Sequence, residues 1–425
     1  MITSTAPRIA VTATAPIAGH ERRAHVDVLR GFALFGILLV NLALFKAPAI
    51  VQATAPAASN PLDQLAAQAI NLFAEGKFFT LFSFLFGFGF ATQLLRARQQ
   101  GVPFVARYTR RLLVLLLFGV AHATLLWYGD ILLTYALFGF ALLLFRNQSP
   151  RVLLIWALAL LASMTLLLGA GITFVELRRA DPVAGGTILA AEREQLAAVE
   201  AEIARDTALY RDGSYAELVA ARTLAPVGLI YNLVTQGLPV LAMFLLGLYA
   251  GRQGILADVP AHLPLLRRVR FWGLLLGLTL SALLVLAQTQ LSLFAGLAAL
   301  LLAHSLTGPL LALGYAATIV LLHEQPRWRS QLAPLGAAGR MALTNYLLQT
   351  VICTTLFYGY GAGLYGQVGA ALGVLLTVVI FALQVVWSVW WLRHFQFGPI
   401  EWLWRTLTYG RAQPMRLRTE SALVR

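Results

Sequence analysis

Asp27, Arg30 and Asn41 punctuate an otherwise apolar run, HVDVLRGFALFGILLVNLALF (25–45). A charge at the centre of a bilayer costs at least about 2.5–3.5 kcal/mol on insertion scales, so such residues need partners or a task. On a helix, Asp27 and Arg30 are three apart and can pair. Asn41 lies eleven residues beyond Arg30, about three whole turns, so both project from one face roughly 16 Å apart. One reading is an anchored ion pair plus an asparagine at a helix contact. The other is a polar stripe that lines a path into the membrane.

The second chemical signal is GVAHATLLWYGDILLTYA (119–136). It sets His122 among leucines and Asp130 at the following turn. A buried histidine is commonly a packed, hydrogen-bonded residue. It is also the side chain best suited to take and return a proton near neutral pH. His304, in LLAHSLTGPL, is a second mid-depth histidine and reads as structural. Arg340, Asn345 and Gln349 share one broad sector of a predicted helix, at i, i+5 and i+9. Asn232 and Gln236 form an i, i+4 amide pair. These amides suit interhelical hydrogen bonds or a substrate path.

The elements that must position these residues are membrane helices. Of the 425 residues, 59% are hydrophobic and 12% charged, against about 25% charge in soluble domains. The fold class is all-α, a polytopic helical bundle. Ten spans are predicted, at about 28–47, 78–97, 111–128, 130–146, 151–175, 226–251, 269–288, 292–322, 337–358 and 367–393. The tight WYGD turn separates the third and fourth. The eighth contains Thr307-Gly308-Pro309, a kink or break. Gly247 and Gly251 have GxxxG spacing, which marks close helix packing.

The formal net charge of +14 comes mostly from arginines gathered in alternate connections. Under the positive-inside rule this places both termini in the cytoplasm, and topology accounts for the charge without a nucleic-acid partner. Residues 1–24 read as a disordered cytoplasmic segment, 25–411 as a single transmembrane domain, and 412–425 as a basic cytoplasmic tail. The long external connection, about 176–225, has helix-forming composition and a net charge of −3. It reads as a helical cap or a lid. The single cysteine, Cys353, excludes an intrachain disulfide and any metal site built on several thiolates; no metal ligand set is predicted. Trp402 and Trp404 suit the membrane interface, and Glu401 and Arg405 are an i, i+4 pair.

Three blocks, DVLRGFALFGILLVN, GVAHATLLWYGDILLTYA and GRMALTNYLLQT…FGPIEWLWRTLTYG, occur in order between residues 25 and 411. Together they resemble the YeiB-like family of bacterial inner-membrane proteins, a domain of unknown function. That family is similar to the wider group of transmembrane acyltransferases, which move an acyl group from cytosolic acyl-coenzyme A to an extracytoplasmic sugar hydroxyl or amine. The resemblance implies a donor site at Asp27, Arg30 and Arg340 and a catalytic set of His122, Asn41 and Asp130. It implies no bound cofactor, acyl-coenzyme A as donor substrate, and a glycan or lipid acceptor. Many members of the wider group carry a histidine where this chain has Asn41. Asparagine cannot act as a base, so that role passes to His122, with Asn41 steadying the thioester carbonyl. The alternative is a transporter or flippase, with Asn345, Gln349, Asn232 and Gln236 along the path.

Overall fold

The computed structural model describes residues 23–48, 60–182, 184–224, 227–288 and 290–417. Almost all of the predicted N-terminal segment, and the end of the C-terminal tail, therefore lie outside the described residues. Among the described residues the chain is helical, and the one β contact is an isolated bridge between Phe395 and Arg416.

The first span is α1 (Ala24–Lys46). It ends where Lys46 Nζ donates to the Val368 carbonyl at 2.8 Å. The short amphipathic α2 (Pro61–Phe73) is capped by Asn60, whose side chain accepts from Asp63 N. Gly76, at φ 77°, takes a left-handed turn that a side chain would strain, and the chain re-enters as α3 (Phe78–Gln99). Next come α4 (Val105–Ala121), a π-turn at His122–Leu126, and α5 (Leu132–Leu144). The long α6 (Pro150–Ala180) starts at a Ser149 cap. Two helices outside the bundle follow, α7 (Ala184–Asp212) and α8 (Tyr215–Leu224). The second half comprises α9 (Val227–Arg252), α10 (Leu263–Gln288), α11 (Leu293–Leu302), a second π-turn at Ala303–Thr307, α12 (Gly308–His323), α13 (Pro326–Arg340), α14 (Ala342–Phe357), α15 (Ala370–Trp391) and α16 (Pro399–Tyr409).

Seven segments are long and apolar enough to cross a bilayer. The shorter apolar α5 and α14, with the 26-residue α9, complete ten at the predicted places. Leucines and isoleucines on α6, α10 and α15, such as Ile155, Leu166, Leu283 and Leu383, face outward. No aqueous surface would carry so much apolar area, so this is a multi-pass membrane protein.

Two predicted spans are interrupted. The eighth opens into a π-turn immediately before Gly308 and Pro309, because proline supplies no backbone N–H to continue the ladder. The ninth is two helices, broken at Met341. Arg340 therefore ends α13 while Asn345 and Gln349 belong to α14, so the three do not share one helix face.

Glycines set the closest contacts. Gly87 of α3 lies against the Phe244 carbonyl of α9, and Gly247 of α9 against the Phe84 carbonyl of α3. Gly251 meets Ala91 one turn on, so the GxxxG pair packs as expected. Gly31 of α1 meets the Leu335 carbonyl of α13, and Gly339 of α13 meets that of Asp27. This seats α1 centrally, against α3, α13, α14 and α15.

The basic connections gather at one end. Arg98 donates to Asn147 Oδ1 at 2.9 Å, Arg252 donates to the Arg146 and Gln148 carbonyls, and His25 meets the Leu256 carbonyl at 3.0 Å. At the opposite end, Gly366 N donates to Lys46 O and Gly359 N to Tyr210 O. The predicted external insertion, α7 and α8, is thereby tied down over that end of the bundle.

Candidate functional site

Asp27, Arg30, Leu34 and Ile37 recur at three- and four-residue spacing, so one stripe of α1 turns from charged to apolar as it descends. That stripe forms a wall of a cavity of about 310 Å³. Arg23, Arg340, Arg405 and Tyr409, at the basic end of the bundle, line its upper part. Leu34, Ile37, Phe82, Phe86 and Leu115 line its depth, and Ile131, Leu132, Tyr135 and Tyr346 its floor. Five arginines, Arg23, Arg30, Arg111, Arg340 and Arg405, face two carboxylates, Asp27 and Glu401. The cavity thus favours an anion at its mouth and an apolar group below.

Asp27 and Arg30 pair as expected, Oδ1 to Nη1 at 2.7 Å. This leaves the remaining guanidinium donors of Arg30 for a ligand. Arg111 stacks over the Trp404 ring at 3.7 Å, and Trp404 Nε1 donates to the Arg111 carbonyl at 3.1 Å. These contacts hold α16 against α4. Glu401 accepts from the first residues of α14: Leu343 N at 2.7 Å, Thr344 N at 3.0 Å and Thr344 Oγ1 at 2.5 Å. It caps a helix whose own N-terminus offers no side-chain cap. Burial raises its carboxyl above the usual glutamate range against the pull of those donors. Arg405 lies over the Phe397 ring at 4.3 Å.

Behind the floor is a buried polar centre. His122 Nδ1 lies 2.7 Å from Asp130 Oδ2, and Nε2 lies 2.9 Å from Thr350 Oγ1. His122 is 2% exposed and Asp130 0%. Asp130, predicted at an outer turn, is folded inward, and its Oδ1 accepts from Leu133 N at 2.7 Å, capping α5. The non-helical residues between the π-turn and α5 allow this fold-back. Tyr346 joins cavity and centre: it lines the floor, and its ring lies 5.2 Å from that of His122.

Opposite the cavity the centre is roofed by aromatic rings. Trp127 is fully buried, 4.0 Å from the Phe45 ring and 6.4 Å from that of His122. Above it, Tyr128 packs on Tyr210 of α7, which stacks with Tyr358 and Tyr365. Burial pushes the Tyr210 hydroxyl up to about 12 and raises that of Tyr365 well above the usual tyrosine range, so these two roof tyrosines stay neutral. Arg222 of α8 reaches down to the Leu126 carbonyl within the π-turn.

Of the sequence-predicted residues, Asp27, Arg30 and Arg340 meet in the cavity wall, and His122 and Asp130 pair just behind it. Asn41 is half-buried, one turn beyond Ile37 on the same stripe, and is not part of the wall. Asn345 and Gln349 turn toward α15: Asn345 Nδ2 donates to Ser388 Oγ at 2.9 Å, and Gln349 Nε2 to Gln384 Oε1 at 2.8 Å. Gln236 is half-buried and has a partner. The Asn232 side chain lies outside the described residues.

His304 meets Glu75 Oε1 at 3.1 Å in the second π-turn, edge-on to Phe79. Nearby, the buried Lys77 donates to the Asn71 carbonyl at 2.8 Å. Sequence reasoning missed Glu75, since the connection after α2 reads as external loop. It also missed Thr350 and Tyr346, although both lie in the GRMALTNYLLQT block. Among the described residues no group of three His, Cys, Asp or Glu side chains is placed to hold a metal ion.

A family model described as "Protein of unknown function (DUF418)" matches residues 250–411. The chain is 38% identical to "Uncharacterized protein YxaH" of Bacillus subtilis (strain 168), over 95% of this chain and 98% of that one. It is 34% identical to "Uncharacterized protein YeiB" of Escherichia coli (strain K12), over 94% and 99%. A Bacillus acidopullulyticus protein, "Uncharacterized 39.9 kDa protein in amylase 3'region", is 29% identical over 96% and 99%. No solved structure matches. With near-complete coverage in both directions, the chain belongs to the YeiB-like, DUF418 family of multi-pass membrane proteins of unknown function.

Proposed function

We propose that this protein is an acyltransferase of the bacterial cytoplasmic membrane, drawing on a cytosolic acyl-coenzyme A and serving an extracytoplasmic hydroxyl or amine. The observation that carries this reading is the sequence of environments met on entering the cavity. An arginine-rich mouth suits the donor's phosphates, since guanidinium groups bind them in paired hydrogen bonds. The apolar walls suit an acyl chain. The floor is a tyrosine packed on a buried His–Asp pair, the arrangement that supplies a general base. Arg30 and Arg340 are the favoured phosphate ligands. His122 takes the proton of the attacking group, and Asp130 fixes its orientation. Asn41, further along the α1 stripe, is the candidate donor to the thioester carbonyl as charge develops there.

The test is incubation of the purified protein in vesicles with labelled acetyl- and longer acyl-coenzyme A. Release of free thiol that requires His122, together with label in an acceptor, supports acyl transfer. An intact thioester with no thiol release rejects it.

A transporter is the second reading, favoured by one observation. The cavity reaches the basic end while the tyrosine roof closes the other, as in an inward-facing carrier. Flux of a solute or lipid across the same vesicles without thioester loss would support it.

A further inference from the structure

We propose that Thr350 is the nucleophile that carries the acyl group through the membrane as an ester. This rests on the acyl-transfer reading and adds a covalent step to it. The ground is hydrogen-bond geometry. A threonine inside a helix ordinarily turns its hydroxyl back onto the carbonyl four residues earlier. Thr318, Thr92 and Thr377 do so at 2.8, 3.0 and 3.0 Å. In Thr350 that back-bond, to the Tyr346 carbonyl, is stretched to 3.4 Å, while His122 Nε2 lies nearer, at 2.9 Å. The hydroxyl has one proton and gives it to the nearer acceptor. On the other side of the ring, Asp130 accepts Nδ1–H and is itself held by Leu133 N. The tautomer with Nε2 unprotonated is thereby selected. Hydroxyl to imidazole to carboxylate, each within hydrogen-bond reach, is the arrangement that activates a weak oxygen nucleophile.

The position of Thr350 matches the task. It stands one helical turn beyond Tyr346, the residue that closes the cavity floor. The Tyr346 hydroxyl has no side-chain hydrogen-bond partner among the described residues and meets only the Ile131 backbone, so the ring that separates donor from nucleophile is lightly held. Toward the opposite end, the polar centre is bounded by Trp127, whose indole N–H is without a partner among the described residues. Thr350 is thus enclosed between two aromatic gates, one facing the donor cavity and one facing the tyrosine roof.

In the first half-reaction, Thr350 Oγ attacks the thioester carbonyl while His122 Nε2 takes its proton. The carbon–sulfur bond breaks, the thiolate receives that proton, and the thiol leaves through the cavity. In the second, an acceptor hydroxyl or amine attacks the Thr350 ester. His122 takes the acceptor's proton and returns it to Thr350 Oγ as the ester bond breaks. Donor and acceptor then never need to meet, which removes the problem of bringing two polar molecules together at mid-membrane.

The experiment exposes purified protein to labelled acetyl-coenzyme A without acceptor, then denatures it and maps the label. The expected result is label on Thr350 that survives neutral hydroxylamine, with thiol released in proportion. Thr350→Val should lower both by about 10²-fold or more, with its melting temperature measured on the same sample. Thr350→Ser, which restores a hydroxyl in place of the branched side chain, should restore labelling. Thiol release by native protein with no adduct, or with label on Cys353 or His122, overturns the ester while leaving acyl transfer standing. So does a folded Thr350→Val protein that retains turnover. Absence of any thiol release from native protein overturns both.

Discussion

His122 holds a carboxylate on one ring nitrogen and a hydroxyl on the other, and neither contact reaches solvent. Replacing it by glutamine preserves approximate size and hydrogen bonding but removes proton transfer. Turnover of the folded His122→Gln protein should fall by about 10²–10⁴-fold with donor binding little changed. A purely packed histidine would instead lower the melting temperature and spare turnover per folded molecule. Arg30 is tested differently. One nitrogen of its fork holds Asp27 and the others are left for a ligand, so Arg30→Lys replaces a planar array of donors by a point charge. Affinity for acyl-coenzyme A should weaken by about tenfold, on the order of 1.4 kcal/mol. Equal affinity in titrations of both proteins would remove Arg30 from the donor site. Such residues are legible in a sequence because a charge or an imidazole amid leucines demands an explanation. Thr350 is not legible. Helical threonines satisfy themselves locally, and what distinguishes this one is the His122 ring nitrogen 2.9 Å away, brought there from a distant part of the chain.

Among the elements, the membrane helices were readable because a run of about 20 apolar residues has few other uses. The break in the eighth was announced by Thr307-Gly308-Pro309 and lies just before that proline, but the one in the ninth was not readable: the stop at Met341 depends on Glu401, a residue sixty positions away that caps the start of α14. That cap makes a pH prediction. Burial raises the Glu401 carboxyl above its unfolded value of about 4.3. Its contribution to stability is therefore fully present below that pH and is lost as the pH rises through the higher folded value. Glu401→Gln keeps an acceptor without the charge. In melting curves from pH 4 to 8 it should flatten this part of the slope and match or exceed the native protein at pH 8. Glu401→Ala leaves Leu343 N and Thr344 N without their cap and should cost about 1 kcal/mol throughout. A Gln variant as unstable as the Ala variant at pH 8 would mean that the ionised cap stabilises the fold.

For the whole molecule, the alternation of basic and neutral connections in the sequence is matched by their convergence on opposite ends of the bundle. Single cysteines at Gln99 and Ala412, in a chain with Cys353 replaced, should resist an impermeant thiol reagent in intact cells, whereas one at Ala198 should label. All three positions are exposed, unlike the neighbouring Gln413. Labelling of position 99 from outside would invert the assignment.

The one-sided cavity has an electrical consequence. Solvent entering from the arginine mouth brings the potential of that side of the membrane down to Tyr346, and the tyrosine roof begins near Tyr358. Tyr358 follows Tyr346 by twelve residues, about 18 Å by helical rise, against a hydrocarbon core of about 30 Å. The transmembrane voltage is therefore compressed across the short plug that contains His122, while the arginine mouth lies outside it. A unit charge crossing the full drop is worth about 2.3 kcal/mol per 100 mV. Imposing a potential on oriented vesicles should leave donor affinity unchanged and alter the rate of any step in which His122 gains or loses a proton. A rate indifferent to voltage would place the proton transfer outside the plug.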